Sequence, residues 1–294
     1  MEKRPLGKTG MHVTALGLGA SEIGNQDVSD EDVEKLLLSA LDTGLNAIDT
    51  AECYGLSEER IGRSISHRRS EFYLFTKCGH AAGIDLPDWD TRLLEQSINR
   101  SLQRLKTSYV DLIQLHSCSE EILRQGDVID VLQRAREAGK TRYIGYSGDG
   151  QAALYAVTCG AFDTLLTSIN IADQEAIDLV VPTAVERQIG IIAKRPLANV
   201  AWTLSRENIH EYFRPYRERL EQLQYDFLQG ELSQAISIAL RFTLSVPGVA
   251  TAIVGTAKPG QWQEDAALIA AGNLPQEQYE AIRLRWKAIA GADW

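Results

Sequence analysis

Three short apolar runs in this chain each stop at an ionisable residue, and a phenol follows close behind the first. Leu45 to Ile48 ends at Asp49, with Tyr54 a little further on; Tyr73-Leu74-Phe75-Thr76 stops at Lys77; Leu112-Ile113-Gln114-Leu115 stops at His116. Runs of this length read as buried strands. If the three are parallel neighbours, a carboxylate, an ammonium and an imidazole emerge at one carboxyl edge, where α/β sheets place their sites. The loop carrying Tyr54 can then bring the phenol among them. Such a set is equipped for proton transfer to or from a substrate. An unperturbed phenol titrates at about 10, so a cation such as Lys77 beside it is expected to favour the phenolate and make the proton transferable near neutrality.

Met singly, each residue has a plainer reading. An Asp and a Lys at strand ends often form a structural ion pair, a lone His after a strand is often a satisfied structural group, and a Tyr before Gly often marks a turn. The argument rests on their conjunction, and so on the elements that would bring them together.

Those elements alternate. Arg4 to Val13 reads as a short hairpin turning at Lys8-Thr9-Gly10, and Ala15 to Gly19 as a buried strand. Ser29 then caps a helix whose first turn carries three acids, Asp30, Glu31 and Asp32. Leu36, Leu37, Ala40 and Leu41 form its buried stripe and Gly44 stops it. The unit repeats with strands from Asn46, Phe72 and Val110 and over Arg142 to Gly145, and helices from Ser57, over Thr91 to Leu105 and over Asp127 to Ala138. Further units run through a helix at Gly150 to Cys159, a strand at Phe162 to Leu166, a helix at Ala176 to Arg187 and strands at Ile189 to Ala193 and Thr251 to Val254. Strand alternating with helix predicts βα units and a parallel sheet. About eight such strands are the number that closes a (β/α)₈ barrel of roughly 250 residues. The stretch Ala198 to Glu231 exceeds that plan; it is expected to be a loop with helical turns and a helix, followed by a helix over Leu232 to Leu244. The predicted fold is α/β, a (β/α)₈ TIM barrel with an N-terminal β-hairpin and extra helices near the C-terminus, in one domain over residues 1–294.

Composition narrows the partners. A net charge of -10 argues against a nucleic-acid backbone or an anionic membrane and for a small molecule. The four cysteines lack paired CxxC spacing, which fits a reducing cytoplasm better than secretion or structural zinc. No basic-then-apolar leader precedes the first strands and no apolar run approaches the roughly 18 residues of a membrane span, so a cytoplasmic location is expected. Oligomeric state is not legible.

The chain resembles the aldo-keto reductases from its hairpin to about Ala270. The likeness is carried by Asp49-Thr50-Ala51-Glu52-Cys53-Tyr54-Gly55, similar to the family's DTAxxYG stretch, with Lys77 and His116 at the ends of the next two strands. The resemblance implies a (β/α)₈ barrel that binds a nicotinamide dinucleotide at its carboxyl-end face and reduces small aldehydes and ketones, with Asp49, Tyr54, Lys77 and His116 catalytic and no metal. Hydride arriving at a carbonyl carbon builds negative charge on oxygen, which a positioned donor must protonate. Tyr54 would be that acid, Lys77 would tune it, Asp49 would hold Lys77 charged, and His116 would orient the carbonyl. His80 and Trp89, in the loop after Lys77, are candidates for substrate contact, as are the loops Ser21 to Gly24 and Asn199 to His210. Glu52 reads as a supporting or solvent-facing acid.

The resemblance also implies cofactor contacts at Gly19, Ala20 and Asp49. Ile144-Gly145-Tyr146-Ser147-Gly148 is similar to a family strand ending in Ser-Asn, whose side chains hold the nicotinamide carboxamide. Ser147 is kept, Gly148 replaces the Asn, and Leu166 stands where a Gln is usual. Lys194-Arg195-Pro196-Leu197 occupies the place of an aromatic that stacks on the nicotinamide; an Arg plane can stack, and either cation can meet a pyrophosphate. Gly255, Thr256, Ala257, Gln261, Glu264 and Asp265 correspond to the adenosine-phosphate clamp, where the start of a helix favours an anion. Gln261 and Gly255 stand where other members carry cations, and Asp265 where an Asn is usual, so NADP(H) is expected by family frequency and NAD(H) by the residues themselves. Two other classes remain open: a cofactor-binding redox sensor or regulatory subunit with little turnover, and a metal-dependent barrel hydrolase using Asp49, Glu52 and His116, which lacks the paired His spacing common to such sites.

Overall fold

The computed structural model describes residues 1–207, 209–291 and 294. The apolar runs form an antiparallel hairpin, β1 (Lys3–Pro5) and β2 (His12–Thr14), and eight strands: β3 (Leu16–Gly19), β4 (Ala47–Asp49), β5 (Tyr73–Cys78), β6 (Val110–His116), β7 (Thr141–Ser147), β8 (Thr164–Ser168), β9 (Gly190–Lys194) and β10 (Val249–Gly255). Each of the eight pairs in parallel with the next, and β10 pairs with β3 through Ala252 opposite Leu16 to Gly255 opposite Gly19, which closes the barrel. These strands read as nearly continuous apolar runs because they are covered on both faces.

Inside the barrel, Ala47, Phe75, Leu112, Leu166, Ile192, Ala250 and Ile253 pack with Leu6, Met11 and Val13 of the hairpin. The hairpin therefore plugs the amino end of the cylinder. Lys8 donates from its backbone N–H to Gln188 O at 2.9 Å, and the Tyr143 hydroxyl donates to Thr9 O. The opposite, carboxyl end is left to the loops.

The outer layer follows the amphipathic pattern. The helix Asp30–Asp42 starts where Ser29 Oγ accepts the Asp32 N–H at 3.1 Å, and it buries Val33, Leu36, Leu37, Ala40 and Leu41. The expected helix Ala176 to Arg187 is two pieces, Glu175–Leu179 and Val181–Glu186. Pro182 has no N–H for the Asp178 carbonyl and its ring crowds that oxygen, so the chain breaks at Val180. A helix at Glu120–Gln125, capped by Ser119 Oγ on the Ile122 N–H at 3.3 Å, was not expected. The excess after β9 folds as a 3₁₀ turn at Ala198–Thr203, a helix at Arg214–Leu223 and a second 3₁₀ turn at Asp226–Gln229; the helix Leu232–Ser245 follows. Helices Gln261–Leu268 and Gln276–Ile289 come after β10. Asn208, part of the expected substrate loop, lies outside the described residues. No helix among the described residues is long and apolar enough to cross a membrane.

Candidate active site

Adjacent parallel strands deliver three of the four expected side chains to one end of the barrel. Asp49 closes β4, Lys77 is the penultimate residue of β5 and His116 closes β6, with Lys77 paired to Gln114 across β5 and β6. Lys77 Nζ donates to Asp49 Oδ2 at 2.5 Å, to Thr50 O at 2.8 Å and to Tyr54 Oη at 3.5 Å. Gln114 Nε2 donates to the other Asp49 oxygen at 3.0 Å. Lys77 and Asp49 are 1% and 2% exposed, so each charge depends on its partners. Burial works against the Lys77 ammonium, but the carboxylate of Asp49 and the phenol of Tyr54 more than offset it and hold the amine above its ordinary range. Burial pushes Asp49 up, with Lys77 and Gln114 pulling it back.

Tyr54 reaches the group because its loop is folded tightly against the turn at Glu22–Gly24. Tyr54 N–H donates to Ala51 O, Ser57 N–H to Tyr54 O and Leu56 N–H to Gly24 O, each at 3.0 Å. Ser57 Oγ donates to Ala20 O at 2.7 Å, tying the loop to the end of β3. A Cβ at position 24 would stand 2.0 Å from the Tyr54 carbonyl oxygen, so only glycine allows the two backbones to cross there. The expectation that Lys77 lowers the phenol is not met in net terms. Burial raises Tyr54 above its ordinary value, Lys77 acts downward, and Asp49 counters Lys77. Near neutrality Tyr54 therefore keeps its proton, the form a general acid needs.

The His116 ring meets the Tyr54 ring edge-on, with centroids 5.6 Å apart and planes at 78°. Burial first, then Lys77 and, after it, His80, Lys194 and Arg195 lower His116 to about 2. It is thus a neutral imidazole with one N–H. Its Nδ1 lies 3.4 Å from Cys53 Sγ. Burial holds the Cys53 thiol up and protonated, so the S–H can donate to Nδ1 and leave the ring proton on Nε2.

The expected cofactor residues divide. Gly19 pairs with both Gly255 and Asp49, and Ala20 N–H donates to Asp49 O at 2.8 Å, which gathers these four at one arc of the rim. Ser147 pairs with His116 and Leu166. Leu166 is part of the barrel interior and 2% exposed, packed among apolar residues below the rim. Gly148 stands beside Tyr146, and a Cβ at 148 would lie 2.4 Å from the Tyr146 hydroxyl oxygen, itself donating to Cys118 O at 2.6 Å. No side chain fits there while that ring is in place. Lys194 ion-pairs with Asp149 at 2.9 Å, and its charge acts on both Asp49 and His116. Among the described residues Asp149 is its one charged partner, which leaves ammonium N–H groups for an anionic or amide ligand.

Arg195 is already engaged. It donates to Ser168 Oγ at 3.2 Å, to Tyr216 Oη at 3.1 Å and to Tyr212 Oη at 2.7 Å, pinning the segment after β9 to the rim. Pro196 O accepts from Thr243 Oγ1 at 3.4 Å, and Leu197 and Ala257 pack on the outer core. In the region expected to clamp the adenosine phosphate, Thr256 Oγ1 accepts the Lys258 N–H at 3.1 Å, and Gln261 donates to Asp265 at 3.2 Å. Asp265 is buried, which pushes its carboxyl up to about 6. Glu264 lies in the first turn of the helix Gln261–Leu268, and the Glu22 carboxylate stands over Gly255.

Several participants escaped the sequence. Gln114 sits two positions before His116 on β6, so its alternation toward the barrel axis was readable. Glu52 is not solvent-facing: it is 3% exposed and ion-paired with Arg100 and Arg104, both on the helix Thr91–Arg104. Behind it Glu58, 1% exposed, accepts from Thr76 Oγ1 at 2.6 Å, and burial pushes it up to about 7. Its folded pKa is above its unfolded one, so the folded state holds the extra proton, and stability falls as pH rises from about 4.5 through 7. A Glu58→Gln variant should remove a penalty on the order of 3 kcal/mol at alkaline pH and change little at pH 5. Urea unfolding at both pH values checks this, and parallel pH dependences for the two proteins would disprove it.

The chain matches the model of the Aldo/keto reductase family over residues 15–286. It is 28% identical over 285 residues to an L-galactose dehydrogenase of Arabidopsis thaliana, covering 92% of this chain and 88% of that protein. It is 27% identical over 294 residues to a D-threo-aldose 1-dehydrogenase of a Pseudomonas species, covering 87% and 89%. Among solved structures it is similar to the holo form of an aldo-keto reductase from Bacillus halodurans, with a TM-score of 0.80 at 25% identity over 99% of this chain and 98% of that one.

Proposed function

The chain belongs to the aldo/keto reductase family, and on that premise we propose that it moves hydride between a nicotinamide dinucleotide and the carbonyl carbon of a small aldehyde or ketone, with Tyr54 giving up or taking back the proton. The observation that carries this reading is the phenol held 3.5 Å from an ammonium that Asp49 locks in place, with a neutral imidazole against its edge. The nicotinamide supplies the hydride. The protein's own part is electrostatic and positional. Tyr54 keeps a proton where an alkoxide will form, Lys77 stabilises the phenolate left behind, and His116 donates a hydrogen bond that fixes the carbonyl oxygen. In the oxidising direction the same phenolate takes the alcohol's proton.

The dinucleotide is assigned to the arc of Gly19, Ala20 and Gly255 and to the Ser147 and Lys194 side of the mouth. Lys194 would meet the cofactor's polar groups with its free N–H donors. Glu22 at Gly255 and Glu264 at the helix start oppose a further phosphate, with Lys258 the nearby cation, so NAD(H) is expected to be used alongside NADP(H).

The test is fluorescence titration with each reduced dinucleotide, followed by its oxidation, read by absorbance, with a panel of aldehydes, ketones and sugars. Sugars belong there because two relatives are named as sugar dehydrogenases. Micromolar binding and turnover of part of the panel are expected. Tight binding with no turnover of any member would favour the sensor reading instead, in keeping with the side-chain-free position beside Tyr146 and the apolar Leu166.

A further inference from the structure

We propose that His80 is a second substrate-binding imidazole, which selects carbonyl compounds that carry a hydroxyl on the carbon next to the carbonyl; this rests on the roles given above to Tyr54 and His116. His80 follows the end of β5, and its ring meets the His116 ring with centroids 5.1 Å apart and planes at 64°. Trp89 lies against another side of it, at 5.3 Å. A substrate whose carbonyl binds at His116 therefore lies beside His80.

The hydrogen bonds around His80 settle what it offers. Its Nδ1 is 2.8 Å from Asp88 Oδ2, and the other Asp88 oxygen accepts the Ala81 N–H at 2.8 Å. The bond from His80 holds the Asp88 carboxyl below its ordinary range, so it is ionised and can only accept. The proton of that pair is thus on Nδ1. In that tautomer the ring's other hydrogen-bonding atom is Nε2, an acceptor. On the neighbouring ring we assign the reverse: His116 Nδ1 lies 3.4 Å from the Cys53 Sγ and takes its S–H, so that Nε2 keeps the ring proton. One imidazole donates and the next accepts. A carbonyl oxygen with an adjacent hydroxyl has the complementary pair, the oxygen accepting from His116 and the hydroxyl donating to His80. Running the reaction the other way, the matching compound is a vicinal diol.

The loop is built to keep this arrangement fixed. Trp89 has a left-handed backbone, φ 69°, which a bulky residue adopts only under constraint. Its N–H donates to Gly79 O at 2.9 Å, and Arg100 donates to Ala82 O at 3.0 Å from behind. A simple aldehyde would leave the Nε2 acceptor unanswered once it displaced water, and a site loses affinity when a polar group it was built around goes unpaired.

The experiment compares kcat/KM for glycolaldehyde against acetaldehyde and for glyceraldehyde against propionaldehyde, with the dinucleotide saturating, in wild type, His80→Phe and His80→Gln. His80→Phe keeps a ring against Trp89 and His116 but removes both nitrogens; His80→Gln keeps an acceptor. The hydroxyaldehyde-to-aldehyde ratio should fall about ten-fold in His80→Phe, mostly through KM, with part of it retained in His80→Gln. Because the reading is a ratio taken within each variant, a loss common to all four compounds cancels. A ratio unchanged by His80→Phe, while simple aldehydes are still reduced, overturns this proposal and leaves the reading of Tyr54 standing. Failure of wild type to reduce any of the four compounds overturns both.

Discussion

Replacing Tyr54 with Phe should lower the rate of carbonyl reduction by on the order of 10³-fold while dinucleotide affinity changes by less than about two-fold. Neither His116 nor Lys77 can take over the proton. His116 is held neutral down to about 2, so its one N–H is a hydrogen-bond donor and not an acid. Lys77 is buried and bound to Asp49 and to Thr50 O, and giving up its proton would leave Asp49 unpaired. The substitution removes only the 3.5 Å bond to Lys77, so the barrel and the cofactor rim should be undisturbed. Single-turnover kinetics with a reduced dinucleotide and a reactive aldehyde, beside a fluorescence titration, would separate the two effects. Residual activity within ten-fold of wild type would mean that the proton comes from elsewhere.

The second large effect is on folding. A Lys77→Met variant leaves the Asp49 carboxylate buried with Gln114 as its remaining side-chain donor, and breaking a buried pair in this way costs roughly 3–5 kcal/mol. The variant should also respond to pH in a defined sense. Without the ammonium, burial alone raises the folded pKa of Asp49 further above its unfolded value, so the variant binds the extra proton when folded and loses stability as pH rises. Urea unfolding should show the deficit widening between pH 5 and pH 8. Adding Asp49→Asn to Lys77→Met should recover part of the loss, since the two residues are in contact and their effects do not add. A double variant no more stable than Lys77→Met would show that the carboxylate was never the source of the deficit.

That Asp49, Tyr54, Lys77 and His116 come together was legible because each is attached to a pattern that sequence displays well: an apolar run, its end, and the alternation that makes neighbours of successive strands. The barrel was legible for the same reason. What could not be read depends on distances between residues remote in the chain. Glu52 could be read as supporting or as solvent-facing, and only the fold decides, because Arg100 and Arg104, which bury and pair it, sit on a helix beyond the next strand. Gly148 looked like a lost side chain, whereas the Tyr146 ring already occupies that space. The direction of the Tyr54 shift turned on how far burial outweighs one cation, a balance that residue types do not express. Arg195 was taken for a free cation, but three hydroxyls that hold it come from β8 and from the helix and turn beyond β9. By contrast, the break at Pro182 was visible in the residue itself and was missed by following the apolar pattern through it.

The crossing at residue 24 bears on how such a chain can drift. That position touches no reacting atom and would be scored as a permissive turn by anyone scanning for chemistry, yet even a methyl group there would strike the carbonyl of the phenol's own residue. Neutral-looking sequence change at this turn is therefore tied to the placement of Tyr54, the proposed acid. Loss of activity among descendants of this chain can begin at a site where every reacting group is still in place.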